Sequence, residues 1–227
     1  HSSGNHAQAL ALAASSRGIK AYIVMPKNAP RIKVEAVKGY LGEITFCEPN
    51  LASREETLRK VIEATGAVEI HPYNDYRIMA GQSTAAQELF EAGPVLDYLI
   101  TPLGGGGLLS GSILAAGAFS PGTRVIGAEP LQANDAWQSW QSKTFVPSVN
   151  PNTIADGLRT SLGSLTFPII MQGADGIITA TEEGIVRAMM LIWERMKIVV
   201  EASAAVPLAA LMENPDRFRG KKTGIIL

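Results

Sequence analysis

Leu99-Ile100-Thr101-Pro102-Leu103-Gly104-Gly105-Gly106-Gly107-Leu108-Leu109-Ser110-Gly111 reads as an apolar strand, four consecutive glycines and the start of an apolar helix. Glycine loses more chain entropy on folding than any other residue, so a strand-to-helix joint carries four of them where the backbone itself must meet something. Two partners fit. One is an anion, gripped by backbone N–H groups that no Cβ shields and by the unpaired donors and positive dipole of the helix start. The other is a tight crossover in which backbone packs on backbone. The following residues narrow the anion. A Walker loop needs Lys and then Ser or Thr for a triphosphate and its magnesium, whereas Leu108-Leu109 stand here. The dinucleotide pattern G-x-G-x-x-G is absent too, although Gly105-x-Gly107-x-x-x-Gly111 keeps a nicotinamide oxidoreductase among the alternatives. A single terminal phosphate is the expected ligand.

Working outward, hydrophobic residues make up 46% of the 227 and charged residues 18%, a balance that excludes a disordered chain. The net charge of −1 offers no electrostatic footprint for nucleic acid or an acidic membrane. Tyr98 to Thr123 lacks any charge, but the glycine run, Pro102 and Pro121 interrupt it, so no membrane span is expected. The lone Cys47 closes the apolar run Ile44-Thr45-Phe46-Cys47, which predicts core filler and a reducing, cytoplasmic setting. The chain opens on His1 and stops at the apolar Thr223-Gly224-Ile225-Ile226-Leu227, as expected of a piece of a longer polypeptide.

In chain order, Ser2-Ser3-Gly4-Asn5-His6 precedes a predicted helix, Ala7 to Arg17, closed by Gly18. This hydroxyl-rich start suits an anion, ordinary helix capping or the remnant of an expression tag. Ala21–Met25 reads as a buried strand, Pro30–Leu41 as a helix, Ile44–Cys47 as a strand, Arg54–Glu63 as a helix capped by Ser53, and Val68–Ile70 as a strand. A turn from Pro72 to Asp75 is the nearest thing to a domain boundary. Beyond it come a helix from Tyr76 to Ala92, the glycine-loop strand from Asp97, a helix from Leu108 to Phe119 and a strand from Arg124 to Ala128. A polar helix from Asn134 to Thr144, a long one from Thr181 to Lys197 with Thr181 as its cap, another to Met212 and a last strand complete the reading. Continuous apolar strands alternating with helices predict an α/β protein with parallel sheets covered on both faces. Glu129, at the end of its strand, and Asp135 suit a hard cation such as magnesium or calcium, or are simply solvated charges.

The loop His1 to His6, the tetraglycine turn, Thr153-Ile154-Ala155-Asp156-Gly157, Trp193-Glu194-Arg195-Met196-Lys197 and Glu201-Ala202-Ser203-Ala204 follow one another over essentially the whole chain. Together they resemble the serine racemase and serine/threonine dehydratase family, among the tryptophan-synthase-β-like pyridoxal-phosphate enzymes. The resemblance makes His1 to His6 one native motif. It implies two parallel-sheet α/β domains, a smaller one over 1–74 and a larger over 75–227, incomplete at both ends, and a homodimer. It further implies that Asn5 bonds the phenolic oxygen of pyridoxal 5'-phosphate while the backbone of Gly104, Gly105, Gly106, Gly107 and Leu108 holds its phosphate. His1, Ser2, Ser3, Asn5 and His6 would grip the carboxylate of an amino-acid substrate, Arg54 would close on that substrate, and Ser3 would be the catalytic acid/base. Glu129, the Ala133 carbonyl and Asp135 match the family's Mg2+ or Ca2+ site.

The implied activity is dehydration and deamination of L-serine and L-threonine to keto acid and ammonia, with serine racemisation beside it. Alternatives are β-replacement of the cysteine-synthase type and a non-catalytic protein that binds amino acid or cofactor. The chain departs from the family pattern in several places. The lysine that bonds the cofactor belongs to a motif N-terminal to these residues, and Ser-Gly-Gly is expected just past Leu227. Ser83 stands where glycine is usual, Ala202 where proline is usual, and Tyr73 where some racemases have asparagine.

Overall fold

A computed structural model of the chain describes Ser2 and residues 4–227, with Leu51 described in its backbone alone. The backbone divides into two compact units, residues 1–72 and 73–227. In the first, α1 (Asn5–Ser15), β1 (Tyr22–Pro26), α2 (Arg31–Gly39), β2 (Glu43–Cys47) and α3 (Leu51–Thr65) follow one another. β1 and β2 pair in parallel with Ile23 opposite Ile44 and Pro26 opposite Cys47. Ala7 and Ala11 of α1 pack with Ile23 and Met25 of β1 and Val34 and Val37 of α2. The alanines let the helix lie close to the strands. Cys47 is buried with its thiol directed at the Met25 carbonyl, as core filler should be.

Two local expectations fail here. The helix capped in the sequence reading by Ser53 starts a turn earlier. Asn50 is the N-cap and accepts from the Ser53 N–H at 2.8 Å, while the Ser53 hydroxyl accepts from the Glu48 N–H. Asn and Ser cap about equally well, and the helix begins at the one that stands first. Val68–Ile70 forms no strand: it shares one cleft with Tyr22–Val24 of β1 but makes no ladder with it. The Ile70 carbonyl pairs instead with the His6 ring.

The second unit contains α4 (Tyr76–Ala92), β3 (Tyr98–Pro102), α5 (Gly107–Phe119), β4 (Arg124–Pro130), α6 (Asp135–Ser142), α7 (Thr166–Gly173), β5 (Gly176–Ala180), α8 (Glu182–Leu191), α9 (Ala202–Glu213), α10 (Pro215–Phe218) and β6 (Thr223–Ile225). Its strands form one parallel sheet in the order β5-β4-β3-β6. Alternation along β3 sends Tyr98 and Ile100 into a core with α8 and α9, and Leu99 and Leu103 into another with α5 and α7. Both faces are dry, so the strands read as unbroken apolar runs. α5 lies close along α4 because Gly111 has no side chain: a Cβ there would stand 2.5 Å from the Met79 carbonyl oxygen. α7 and β5 were not anticipated. The long helix expected to reach Lys197 is α-helical only to Leu191. A π-turn from Ile192 to Met196 follows and ends on Lys197 at φ 62°. No helix among the described residues is long and apolar enough to cross a membrane.

His6 ties α1 to the segment after α3: its Nε2 lies 3.1 Å from the Ile70 carbonyl oxygen. Burial lowers its pKa from the ordinary 6.5, with the Ile70 carbonyl opposing. The unfolded chain therefore takes up the proton first, so this contribution to stability is complete above pH 6.5 and is lost as pH falls toward the folded pKa. Urea midpoints should drop below that pH, and His6→Gln should flatten the profile there. An unchanged profile in the variant would show that His6 does not titrate on unfolding.

Candidate active site

The cradle is built by the end of β3. Leu103 is still tied to the sheet through its N–H to the Ala128 carbonyl at 2.8 Å. After it, none of the N–H groups of Gly104, Gly105, Gly106, Gly107, Leu108 and Leu109 has an acceptor among the described residues, and pairing resumes with Ser110 N–H to Gly106 O at 2.9 Å. Gly105, Gly106, Gly107 and Leu109 are buried residues, so these are donors in dry surroundings. Gly106 is the N-cap of α5 at φ 90°, a left-handed conformation that suits glycine, and offers no side chain to its own helix. These free amides stand ahead of a thirteen-residue helix, at the positive end of its dipole, the arrangement by which a backbone can hold an anion.

The glycines also sit in close packing, the second alternative raised for them. A Cβ on Gly104 would lie 3.1 Å from Leu158 Cα and from Thr160 Oγ1, and one on Gly106 2.7 Å from Ile170 Cδ1. A Cβ on Gly105 would lie 2.3 Å from Tyr73 Cδ1, a clash with the ring, and one on Gly107 would lie 2.9 Å from Tyr73 Cβ. Thr166 Oγ1 donates to the Gly105 carbonyl at 2.8 Å and accepts from Gly163 N–H, also at 2.8 Å. The loop is thus held by its carbonyls while its amides stay free.

The Thr153–Gly157 run lies against this loop. Arg159 grips the Thr153 carbonyl, Glu182 Oε2 accepts from Ile154 N–H at 2.9 Å, and Ser203 Oγ accepts from Gly157 N–H at 3.2 Å. The Gly157 carbonyl oxygen would be 3.2 Å from a Cβ on Gly104. Thr160, Thr166 and Tyr73 are neighbours of the cradle that sequence reasoning did not assign. Thr166-Phe167-Pro168, a hydroxyl before a first-turn proline, is the signal that marks the start of α7.

In the first unit, Asn5 opens α1 behind Gly4, whose N–H donates to Ser2 Oγ at 3.2 Å. Ser2 and His6 line one small cleft with Leu58 and Ile70, and Arg54 stands one turn before Leu58 on α3. Arg54 Nε is buried without a hydrogen-bond partner among the described residues. His1 and Ser3, expected in substrate binding and, for Ser3, in catalysis, lie outside the described residues.

Glu129, the next-to-last residue of β4, is 2% exposed and accepts from the first-turn N–H groups of Ala136, at 3.3 Å, and Trp137. Burial pushes its pKa up to about 9 against those two amides, and pushes Asp135 up to about 6. Asp135 Oδ2 is buried without a partner among the described residues. Ala133, also buried, closes the 3-10 turn Leu131–Ala133 between them. Among the described residues no group of three or more His, Cys, Asp and Glu gathers as a metal centre.

Known proteins resemble this chain over its whole length. The chain is 48% identical over 227 residues to the beta-hydroxyaspartate dehydratase of Paracoccus denitrificans, covering all of this chain and 72% of that one. The crystal structure of serine racemase from Dictyostelium discoideum superposes with a TM-score of 0.94 at 47% identity, over all of this chain and 73% of that one. A crystal structure of threonine deaminase from T.th. superposes at 0.92 and 41% identity, over 99% of this chain and 73% of that one. With residues 1–227 all matched by its model, the chain belongs to the pyridoxal-phosphate dependent enzyme family.

Proposed function

We propose that this protein dehydrates and deaminates small β-hydroxy amino acids, L-serine and L-threonine among them, to a keto acid and ammonia, with serine racemisation as a second outcome at the same site. The observation that carries this reading is the run of free amides from Gly104 to Leu109 in a chain of this family. A hydroxyaspartate dehydratase, a serine racemase and a threonine deaminase are among its relatives, and all three act on amino acids of one shape. Pyridoxal phosphate, when bound, supplies an electron sink for the pair left on the substrate α-carbon.

The chain's own residues do the rest. The amides of Gly104 to Gly107 and Leu108 hold the phosphate, and Asn5 bonds the ring hydroxyl. Arg54, always charged and with a buried Nε lacking a partner among the described residues, takes a substrate carboxylate. His1, Ser2, Ser3, Asn5 and His6 form the substrate loop. Ser3 returns or removes a proton at the α-carbon, so elimination follows when the β-hydroxyl departs first and racemisation when Ser3 delivers its proton first. Elimination is favoured, because Tyr73 stands where some racemases have asparagine.

A magnesium or calcium ion belongs at Glu129, Asp135 and the Ala133 carbonyl. Two buried acids, one with an oxygen lacking a partner among the described residues, keep their charge when a hard cation neutralises them. The face of α8, where a groove of about 510 Å³ is lined by Val186 and Met190 with Glu183, Arg187 and Glu194, and the turn beyond it with Trp193, Met196 and Val199 exposed, is where a second copy docks to make a homodimer. The lone buried Cys47 suits a cytoplasmic setting.

The intact protein, supplied with pyridoxal phosphate and L-serine, L-threonine or threo-3-hydroxyaspartate, should release keto acid and ammonia one to one from at least one of them. No product from any of the three at saturating cofactor would defeat the proposal. Terbium, a luminescent stand-in for calcium, should light up through the neighbouring Trp137, be displaced by calcium or magnesium, and fail to bind Glu129→Gln. Luminescence that survives in the variant would place the cation elsewhere.

A further inference from the structure

Resting on the phosphate reading above, we infer that Tyr73 is a positioning residue of the cradle: its ring and main chain are what forbid side chains at Gly105 and Gly107, and the ring keeps water from the amides that hold the phosphate. The four glycines answer to different neighbours. Gly104 is constrained by Leu158 and Thr160, and Gly106 by its φ of 90°. At Gly105 the nearest atoms to an added Cβ are Cγ, Cδ1 and Cε1 of Tyr73, and at Gly107 they are its Cβ, Cα and carbonyl oxygen, the last at 3.4 Å. One residue thus constrains two of the four positions, Gly105 through its ring and Gly107 through its Cβ and main chain.

That residue is fixed in place by its successor. Asn74 Oδ1 accepts from Leu165 N–H at 2.7 Å and its Nδ2 donates to Ser164 Oγ at 3.1 Å, while a Cβ at Gly163 would fall inside Asn74. The same turn sends Thr166 back to the Gly105 carbonyl. Tyr73 thus cannot slide off the loop without breaking the 163–166 turn. A ring that lies on the loop also thins the water around its amides, and hydrogen bonds to an anion strengthen as the surroundings become less polar.

The test is a double-mutant cycle on the intact protein, with Gly105→Ala, Tyr73→Ala, their combination and Tyr73→Phe. Dissociation constants for pyridoxal phosphate and for pyridoxal, which lacks the phosphate, are read from protein fluorescence, and folding from urea midpoints. The wild type should prefer the phosphorylated ligand at least tenfold. Tyr73→Ala should weaken pyridoxal phosphate about tenfold and leave pyridoxal unchanged, and Tyr73→Phe should restore the wild-type value. Gly105→Ala should lower the urea midpoint and abolish the preference, and both losses should shrink to those of Tyr73→Ala alone in the combination. Equal penalties for Gly105→Ala in both backgrounds would mean that the phosphate demands that glycine, and would overturn the inference. So would a Tyr73→Ala protein that binds pyridoxal phosphate normally, or one that loses both ligands equally. A wild type without any preference for the phosphate would sink the cofactor reading itself, and this inference with it.

Discussion

Six successive amide N–H groups without an acceptor among the described residues are the constraint around which the second unit is arranged. A buried donor left unpaired costs about 1–3 kcal/mol, and a whole domain is stable by only about 5–15 kcal/mol. A fold that keeps several such donors in one place is built to have them satisfied by something else. The parallel sheet supplies the placement, since β3 delivers the loop at its carboxyl end and α5 starts there with its dipole aligned. The helices on both faces of the sheet keep the surroundings dry.

The surrounding contacts hold this loop without using up its amides. Thr166 takes the Gly105 carbonyl, Tyr73 covers the loop, and the Thr153–Gly157 run, held by Arg159, Glu182 and Ser203, closes on Gly104. Side chains and carbonyls thus fix the position, and the N–H groups are kept for a ligand. The buried pair Glu129 and Asp135 follows similar logic with the sign reversed. There, acceptors rather than donors are gathered in excess of the partners that the described residues offer.

Much of this was readable from residues alone, for identifiable reasons. The tetraglycine run announces itself because nothing but a close approach or a positive φ accounts for four missing side chains. The strands of the second unit are apolar without alternation because both faces are covered. Local chemistry misled where the outcome depended on a distant partner. Val68–Ile70 has the composition of a strand but makes no ladder with β1 or β2, and Asn50 took a helix start that Ser53 could also have capped. The stretch from Thr160 to Ala180 holds α7, β5 and the hydroxyls nearest the cradle, and its one local signal is Thr166-Phe167-Pro168 at the start of α7. Tyr73 could be noticed as an unusual residue, but only the fold brings it onto Gly105.

The central claim is that these amides bind a phosphate, and it is tested most directly by amide NMR on protein labelled with 15N-glycine. On titration with pyridoxal phosphate, the N–H resonances of Gly105, Gly106 and Gly107 should move downfield together and saturate. Pyridoxal at the same concentrations should leave them where they were. Glycine resonances of the loop that stay fixed while others in the protein respond would contradict the account.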